Sequence, residues 1–212
     1  MNIPINVNCS GRVAVVTGGG GVLCGMFAQA LGQCGAKVAV LDLEKEKAQA
    51  VVRRIKDTGG QAMALQANVL DRESLAGAER ELAENFGPCD ILINGAGGNH
   101  PKGTTTKEFF DPGDLGKDIV TFFDLDPEGI KFVFDLNFTG TLLATQVFAR
   151  SMAGIKGATI INISSMNAFC PLTKIPAYSG AKAAINNFTQ WLAVHLARTG
   201  IRVNAIAPGF FL

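Results

Sequence analysis

The chain has 212 residues, of which 48% are hydrophobic and 17% are charged, and its formal net charge is +1. We expect residues 1–212 to form a single domain, because no change of composition divides them. With 19 basic and 18 acidic residues and no basic run, the sequence lacks the positive patch that nucleic acid or an anionic membrane would need in a partner.

The sequence also indicates a cytoplasmic protein. No window approaches the ~18 consecutive apolar residues that a transmembrane helix needs, and the first twelve residues lack the order of a secretory signal. The five cysteines are scattered without CxxC spacing, so we expect free thiols. With two histidines, no cluster has the ligands and spacing of a zinc site, and we expect no metal.

Short β-branched runs alternate along the chain with longer stretches in which apolar residues recur three and four apart. Strands that are apolar on both faces and separated by helices predict a Rossmann-type α/β fold, a doubly wound parallel sheet in a three-layer αβα sandwich. The predicted strands are Val13–Thr17, Lys37–Leu41, Ala62–Gln66, Ile91–Asn94, Thr159–Ile163 and Val203–Ile206. The predicted helices span about 23–34, 44–58, 71–86, 128–153 and 176–198.

The first predicted strand leads directly into a glycine run, residues 18–21, and then into a helix. Backbone amides at a helix N-terminus form a ready diphosphate site, although a tight turn is the competing interpretation because the strict GxGxxG spacing does not occur. Asp42 closes the second strand, where a carboxylate can accept hydrogen bonds from ribose hydroxyls and repel a 2′-phosphate. This favours NAD over NADP, and the alternative is an acidic N-cap for the next helix.

Residues 97–127 break the alternation, since they are rich in Gly, Pro, Thr and Asp and show no sustained period. A loop of this length inside a compact domain is usually either functional or disordered. It follows the carboxyl end of the fourth strand, where open α/β sheets bind ligands, so we interpret it as a substrate-side insertion.

Tyr178, the single tyrosine, precedes Lys182 by four residues in a predicted helix, so the two side chains share one helix face. A nearby ammonium can lower the pKa of a phenol from its free value of about 10. Ser165 ends the fifth strand, thirteen residues before Tyr178. The competing interpretation is an interfacial tyrosine and a solvated lysine.

Taken in order, these motifs resemble the short-chain dehydrogenase/reductase family over essentially the whole chain. The residues that carry the resemblance are Thr17-Gly18, Asn94-Gly95-Ala96-Gly97, Asn137, Ser165, Tyr178-x-x-x-Lys182 and Pro208-Gly209.

The resemblance implies hydride transfer between a nicotinamide and a secondary alcohol or ketone. In that family the tyrosine (Tyr178) is the general acid/base and the serine (Ser165) orients the substrate oxygen. The lysine (Lys182) holds the nicotinamide ribose and lowers the tyrosine pKa, and the asparagine (Asn137) anchors a proton-relay water. The implied NAD-binding residues are Gly18, Gly21, Val22, Leu23, Asp42, Asn68, Val69, Asn94, Ala96, Tyr178, Lys182, Pro208 and Gly209.

The chain departs from the family pattern in two loops. The second and third glycines of the common TGxxxGxG pattern fall at Val22 and Cys24, and glycines stand instead at 21 and 25. Gly95 replaces the second asparagine of the usual Asn-Asn-Ala-Gly. We therefore expect a slightly different backbone path around the diphosphate.

The segments GGGGVLCG, NGAGGNHPKGTT and ISSMNAFCPLTKIPAYS resemble the mannonate or fructuronate oxidoreductases, relatives of the gluconate 5-dehydrogenases. This implies a sugar acid, with His100, Lys102 and Ser165 as candidate substrate contacts. One alternative is a 3-oxoacyl-thioester reductase, whose usual NADP preference fits Asp42 poorly. The other is a non-catalytic NAD-binding regulator, a class that commonly lacks the tyrosine or the lysine.

Two expectations concern assembly and the end of the chain. The helices at 128–153 and 176–198 are apolar enough to bury a second face, and the resemblance implies a homo-oligomer, a dimer of dimers. The sequence stops just after the sixth predicted strand, whereas the family continues with a substrate lid and a seventh strand. We expect both to be absent from this chain.

Overall fold

The computed structural model describes residues 7–210 and contains one sheet of six parallel strands. The strands are β1 (Val13–Thr17), β2 (Lys37–Asp42), β3 (Gln61–Gln66), β4 (Ile91–Asn94), β5 (Thr159–Ile163) and β6 (Arg202–Ile206). The helices are α1 (Val22–Gln33), α2 (Lys45–Asp57), α3 (Arg72–Asn85), α4 (Pro127–Phe134), α5 (Gly140–Met152) and α6 (Pro176–His195). The strand order β3-β2-β1-β4-β5-β6 confirms the predicted Rossmann-type fold.

The alternation of side chains along each strand builds the two apolar layers of the sandwich. On β1, Val13 and Val15 face a cluster with α3, α5 and α6, whereas Ala14 and Val16 face a second cluster with α1 and α2. All five β1 residues are buried, and each fully buried valine side chain contributes ~1.5–3 kcal/mol. This two-sided burial explains the continuous apolar runs, and β6 forms one edge of the sheet within residues 7–210.

The long helix predicted at 128–153 is interrupted. Between α4 and α5 the chain makes a π turn, Asp135–Thr139, in which the N–H of Gly140 donates to the carbonyl of Asp135 five residues earlier. Such turns are rare and often mark functional positions. Asn137 lies in this turn and is fully buried.

The helix Pro127–Met152 is long and apolar enough to cross a membrane by length and composition alone. In the structure Phe148 and Met152 pack fully buried against the sheet. The apolar character is therefore that of a helix which covers a core, and the predicted cytoplasmic location stays a prediction.

The insertion at 97–127 is ordered, with three short 3₁₀ turns at Pro101–Gly103, Pro112–Asp114 and Phe122–Asp124. Asp114 ties its middle together, because this carboxylate is 2% exposed and meets Lys107 at 2.6 Å and Lys117 at 3.2 Å. The hydrogen bond from Lys107 is the main cause that lowers the pKa of Asp114 to about 2. The middle of the insertion is thus braced by ion pairs within the insertion.

We expect Asp114→Asn to loosen the insertion, because the neutral amide gives up both ion pairs and turns donors toward two lysines. Hydrogen exchange across residues 104–122 should become several-fold faster, while exchange in β1 and β4 stays unchanged. In the native protein the ion pairs persist below the ordinary Asp pKa of 3.8 and are lost as the pH falls through about 2. Asp118→Ala, at an exposed position, is the matched control, and equal exchange in both variants would contradict the role of Asp114.

Candidate active site

A cavity of about 430 Å³ opens at the carboxyl ends of the strands, where the strand order reverses between β1 and β4. This switch point is where doubly wound sheets bind their ligands. Ten of the predicted cofactor-binding residues line it: Gly18, Gly21, Val22, Leu23, Asp42, Asn68, Val69, Ala96, Tyr178 and Lys182. The fold thus brings together residues that lie 164 positions apart, from Gly18 to Lys182.

The glycine loop provides close backbone approach and free amides. Gly18 has φ +63°, and a Cβ on it would lie 2.9 Å from the Cα of Ala96, so only glycine fits there. Gly21 is the N-cap of α1 and carries no capping side chain, so the first amides of the helix face the cavity. The donors and the helix N-terminus fit a diphosphate.

Asp42 is held at the end of β2 by two backbone amides. Its Oδ2 accepts from the N–H of Gly20 at 2.9 Å, and its Oδ1 accepts from the N–H of Glu44 at 3.1 Å. Both oxygens keep acceptor capacity toward the cavity, which suits ribose hydroxyls. Lys47 also lines this end of the cavity, but its ammonium is paired with Glu44 at 2.5 Å, so it is not free to attract a 2′-phosphate.

The end of β3 supplies Asn68 and Val69 to the wall. The Oδ1 of Asn68 accepts from the N–H of Leu70 at 3.0 Å, which closes a turn, and Val69 is buried against the core. These positions lie beyond Asp42 along the sheet, at the end expected for adenine.

Asn94 differs from the prediction. Its side chain points away from the cavity and donates to the Oγ1 of Thr145 at 2.8 Å and to the Oδ1 of Asn162 at 2.9 Å. The walls at this point are formed by the residues after it, Gly95 to Gly98. Asn94 therefore holds strands and helices together, and its side chain makes no direct approach to a cofactor.

Ser165 and Tyr178 lie together beside the cavity. Ser165 caps the 3₁₀ turn Met166–Ala168, where its Oγ accepts from the N–H of Asn167 at 3.2 Å. The nearby Ser165 hydroxyl lowers the pKa of the Tyr178 phenol, but burial raises that pKa more strongly. The net pKa of Tyr178 thus lies above its ordinary value.

Lys182 is buried and does not act on Tyr178 as predicted. Its ammonium donates to the carbonyl of Ile163 at 2.8 Å and lies 5.6 Å from the centre of the Tyr178 ring. Burial also lowers the pKa of Lys182 to about 8. The expected fall in the tyrosine pKa is therefore wrong, because burial raises the pKa of Tyr178 more than the Ser165 hydroxyl lowers it.

Asn137 braces the loop that faces Lys182. Its Nδ2 donates to the carbonyls of Gly98 at 2.7 Å and Val133 at 2.8 Å, and its Oδ1 accepts from the N–H of Gly98 at 3.2 Å. A Cβ on Gly97 would lie 2.5 Å from this oxygen and 3.2 Å from the Lys182 ammonium nitrogen. Gly97 is thus a site residue whose missing side chain leaves room for both groups.

Other predicted site residues, Pro208, Gly209 and Lys102, lie outside the lining of the cavity. Pro208 accepts the N–H of Met166 at 2.9 Å, which places the Pro208-Gly209 turn against the segment after Ser165. Lys102, a candidate substrate contact, is 63% exposed and pairs with Asp126 at 3.0 Å, and it is not among the residues that line the cavity.

Sequence reasoning missed several residues of the wall. Leu43, between β2 and α2, Lys47, in the first turn of α2, and Leu136, in the π turn, lie outside any motif that the sequence displays. Their approach depends on loop paths rather than on residue type. Among residues 7–210 no group of three or more His, Cys, Asp or Glu side chains could hold a metal ion.

Residues 12–212 match the family model described as short chain dehydrogenase, and the chain belongs to that family. It is an oxidoreductase that acts on CH–OH groups and uses NAD, as the motifs predict.

Individual relatives agree with this assignment. The chain is 57% identical over 212 residues to an uncharacterized oxidoreductase of Haemophilus influenzae, covering 100% of this chain and 74% of that protein. A crystal structure of a Haemophilus protein provisionally named a D-mannonate oxidoreductase, with bound NAD, is 56% identical at a TM-score of 0.95 and covers 98% and 74%. The 5-keto-D-gluconate 5-reductase of Escherichia coli is 29% identical over 95% and 72%.

We expect Tyr178→Phe to abolish turnover and spare cofactor binding. The ring keeps its packing while the proton donor is lost, so kcat should fall by ~10²–10⁴-fold. NADH affinity, measured by fluorescence titration, should stay within about twofold because removing one hydroxyl leaves the rest of the cavity in place. Full activity in this variant would exclude a tyrosine mechanism.

Proposed function

We propose that the protein interconverts a keto sugar acid and its secondary alcohol, of the fructuronate and mannonate or gluconate type, with NAD. The observation that carries this proposal is that Tyr178 and Lys182 line a cavity whose glycine loop and Asp42 fit NAD, with Ser165 beside Tyr178. The names of the relatives, a D-mannonate oxidoreductase and a 5-keto-D-gluconate 5-reductase, support the substrate class.

Each residue of the set has a distinct task. In reduction the Tyr178 hydroxyl gives its proton to the developing alkoxide, and in oxidation the phenolate takes it back. The Ser165 hydroxyl donates to the same oxygen and orients it. When bound, NAD supplies the hydride acceptor, or NADH the donor.

Lys182 contributes a titratable amine to the site, and Asn137 fixes the position of the cavity wall. Burial holds the Lys182 pKa near 8, so a modest change in its surroundings changes how far the amine is protonated at neutral pH. Asn137 binds both the N–H and the carbonyl of Gly98, so the wall opposite Tyr178 has one fixed conformation. This fixed wall sets how a substrate carbonyl can approach the phenol.

His100 is the better of the two predicted contacts for a substrate carboxylate. Its Nδ1 accepts from the N–H of Lys102 at 3.2 Å, so the neutral ring carries its proton on Nε2 and can donate there. The turn that begins at Pro101 packs against the residue before Tyr178, since a Cβ on Gly103 would lie 3.6 Å from that of Ala177. The His100 ring packs against Phe132, with ring centres 5.1 Å apart, and we propose that it extends the wall near the phenol.

We expect turnover with hexuronates or aldonates and NAD(H), and none with 3-oxoacyl thioesters, in a coupled absorbance assay. His100→Leu should raise the KM for the acid about tenfold, as loss of a hydrogen bond to a charged group does. Lys102→Gln is the matched control and should leave KM unchanged, because Asp126 already pairs this lysine. No turnover across the panel would contradict the substrate class and leave the NAD site untouched.

We also propose that the protein is a homo-oligomer. An aromatic row runs from Phe138 in the π turn along α6, with ring centres 5.9 Å apart for Phe138 and Phe188, 6.3 Å for Phe188 and Trp191, and 4.6 Å for Trp191 and His195. Trp191 is 56% exposed, which is unusual for so large a side chain. Light scattering should give a multiple of the chain mass and Trp191→Glu a smaller particle; a monomeric native protein would contradict this.

A further inference from the structure

Cys24 and Gly95 meet inside the cofactor cavity. Cys24 lies in the first turn of α1, and Gly95 is the first residue after β4. Both line the cavity, on opposite sides of the switch point. They are also two of the positions at which this chain departs from the usual family pattern, which has glycine at the first position and asparagine at the second.

The sulfur of Cys24 occupies the space that a side chain at position 95 would need. A Cβ built on Gly95 would lie 2.1 Å from the Cys24 Sγ, far inside contact distance. The backbone of Gly95 is outside the left-handed region, so conformation does not require glycine there. The thiol atom is therefore what excludes a side chain.

The other neighbours of this point are less crowded. The next nearest atoms to a Cβ on Gly95 are the carbonyl oxygen of Thr17 at 3.1 Å, which is a tight contact, and the Cγ1 of Ile163 at 3.5 Å. Once the sulfur is gone, a methyl at position 95 fits with a shift of a few tenths of an ångström at the Thr17 carbonyl. The cysteine at position 24 and the glycine at position 95 are thus coupled, because the sulfur of the first takes the space that a side chain on the second would need.

This contact separates the two walls of the cavity. On one side α1 presents the amides of the glycine loop, and on the other the chain from Gly95 to Gly98 leads to Asn137 and Lys182. The walls already touch deeper down, because the N–H groups of Gly95 and Ala96 donate to the Oγ1 of Thr17 at 3.0 and 3.2 Å. The Cys24 sulfur lies between the two walls beside Gly95, next to the close approach of Gly18 to Ala96.

We propose that Cys24 is a positioning residue for the cofactor, a spacer whose sulfur, seated against Gly95, sets the distance between the diphosphate loop and the loop of residues 95–98. It acts as a neutral, packed group, since burial raises the pKa of this thiol to about 11 and keeps it protonated. The spacer concerns only the nucleotide end of the site, so it does not depend on which acid is the substrate.

The test uses three variants, which add a methyl group at position 95, remove the sulfur at position 24, or do both. Gly95→Ala adds a methyl where the sulfur stands, Cys24→Ala removes the sulfur, and the double variant replaces the sulfur by the methyl. NADH affinity is measured by fluorescence titration and stability by thermal unfolding. Gly77→Ala in α3, where a Cβ meets its nearest atom at 3.9 Å, is the control for adding a methyl elsewhere.

We expect Gly95→Ala to weaken NADH binding at least about tenfold, or ~1.4 kcal/mol. Cys24→Ala should weaken binding about threefold or more because the walls move together. The double variant should bind within about threefold of the native protein, since the spacer is restored.

The comparison of Cys24→Ala with the double variant decides the matter even if Gly95→Ala does not fold. Weakened binding in Cys24→Ala and recovery in the double variant support the spacer. Native affinity in Cys24→Ala, or a double variant that binds no better than Cys24→Ala, overturns it. Changes in melting temperature at constant NADH affinity likewise overturn it, because they show packing without positioning.

Discussion

The reversal of strand order between β1 and β4 is the constraint on which the site depends. The chain leaves β1 toward one face of the sheet and β4 toward the other, so a crevice must open between the two carboxyl ends. Its depth is limited by the close approach of Gly18 to Ala96, which no side chain at position 18 would permit. The surplus of glycine in this chain, 25 residues, is concentrated in part where backbone must meet backbone or leave room for a ligand.

A buried polar network then connects the crevice to the catalytic groups. Asn94 on β4 binds Asn162 on β5 and Thr145 on α5, and Asn162 donates to Thr189 on α6 at 2.9 Å. From α5 the Oγ1 of Thr141 donates to the carbonyl of Asn137 at 2.8 Å. Leaving one buried partner unpaired costs ~1–3 kcal/mol, so the network favours a single relative position of β5 and α6. Those two elements position Ser165, Tyr178 and Lys182.

The strands could be predicted well because burial on both faces of a strand is visible in the residues of that strand alone. Two-sided burial leaves continuous β-branched runs, and each observed strand lies within one residue of its predicted bounds. The π turn at Asn137 could not be predicted, since one extra residue in a helix leaves the apolar spacing almost unchanged. The pairing of Lys102 with Asp126 and the upward pKa of Tyr178 also escaped, because both depend on which groups meet after folding. The residue types thus indicated a tyrosine-dependent dehydrogenase, but the partner of Lys102 and the direction of the Tyr178 pKa shift came only from the structure.

The insertion differs from the cofactor half in what holds it. Its middle is braced by Asp114 and two lysines, and its ends are fixed by the pair Lys102 and Asp126 and by the bond from Asn99 to Thr104 at 2.9 Å. These contacts are internal to residues 97–127, but the insertion is also tied to the rest of the protein, because Gly98 bonds to Asn137 and the N–H of Thr105 donates to the carbonyl of Lys174 at 2.9 Å. Its first residues, Gly97 and Gly98, line the cofactor cavity. The part around Asp114 has supports of its own, so its residues can change with less effect on the nucleotide site than a change at Gly97 or Gly98 would have.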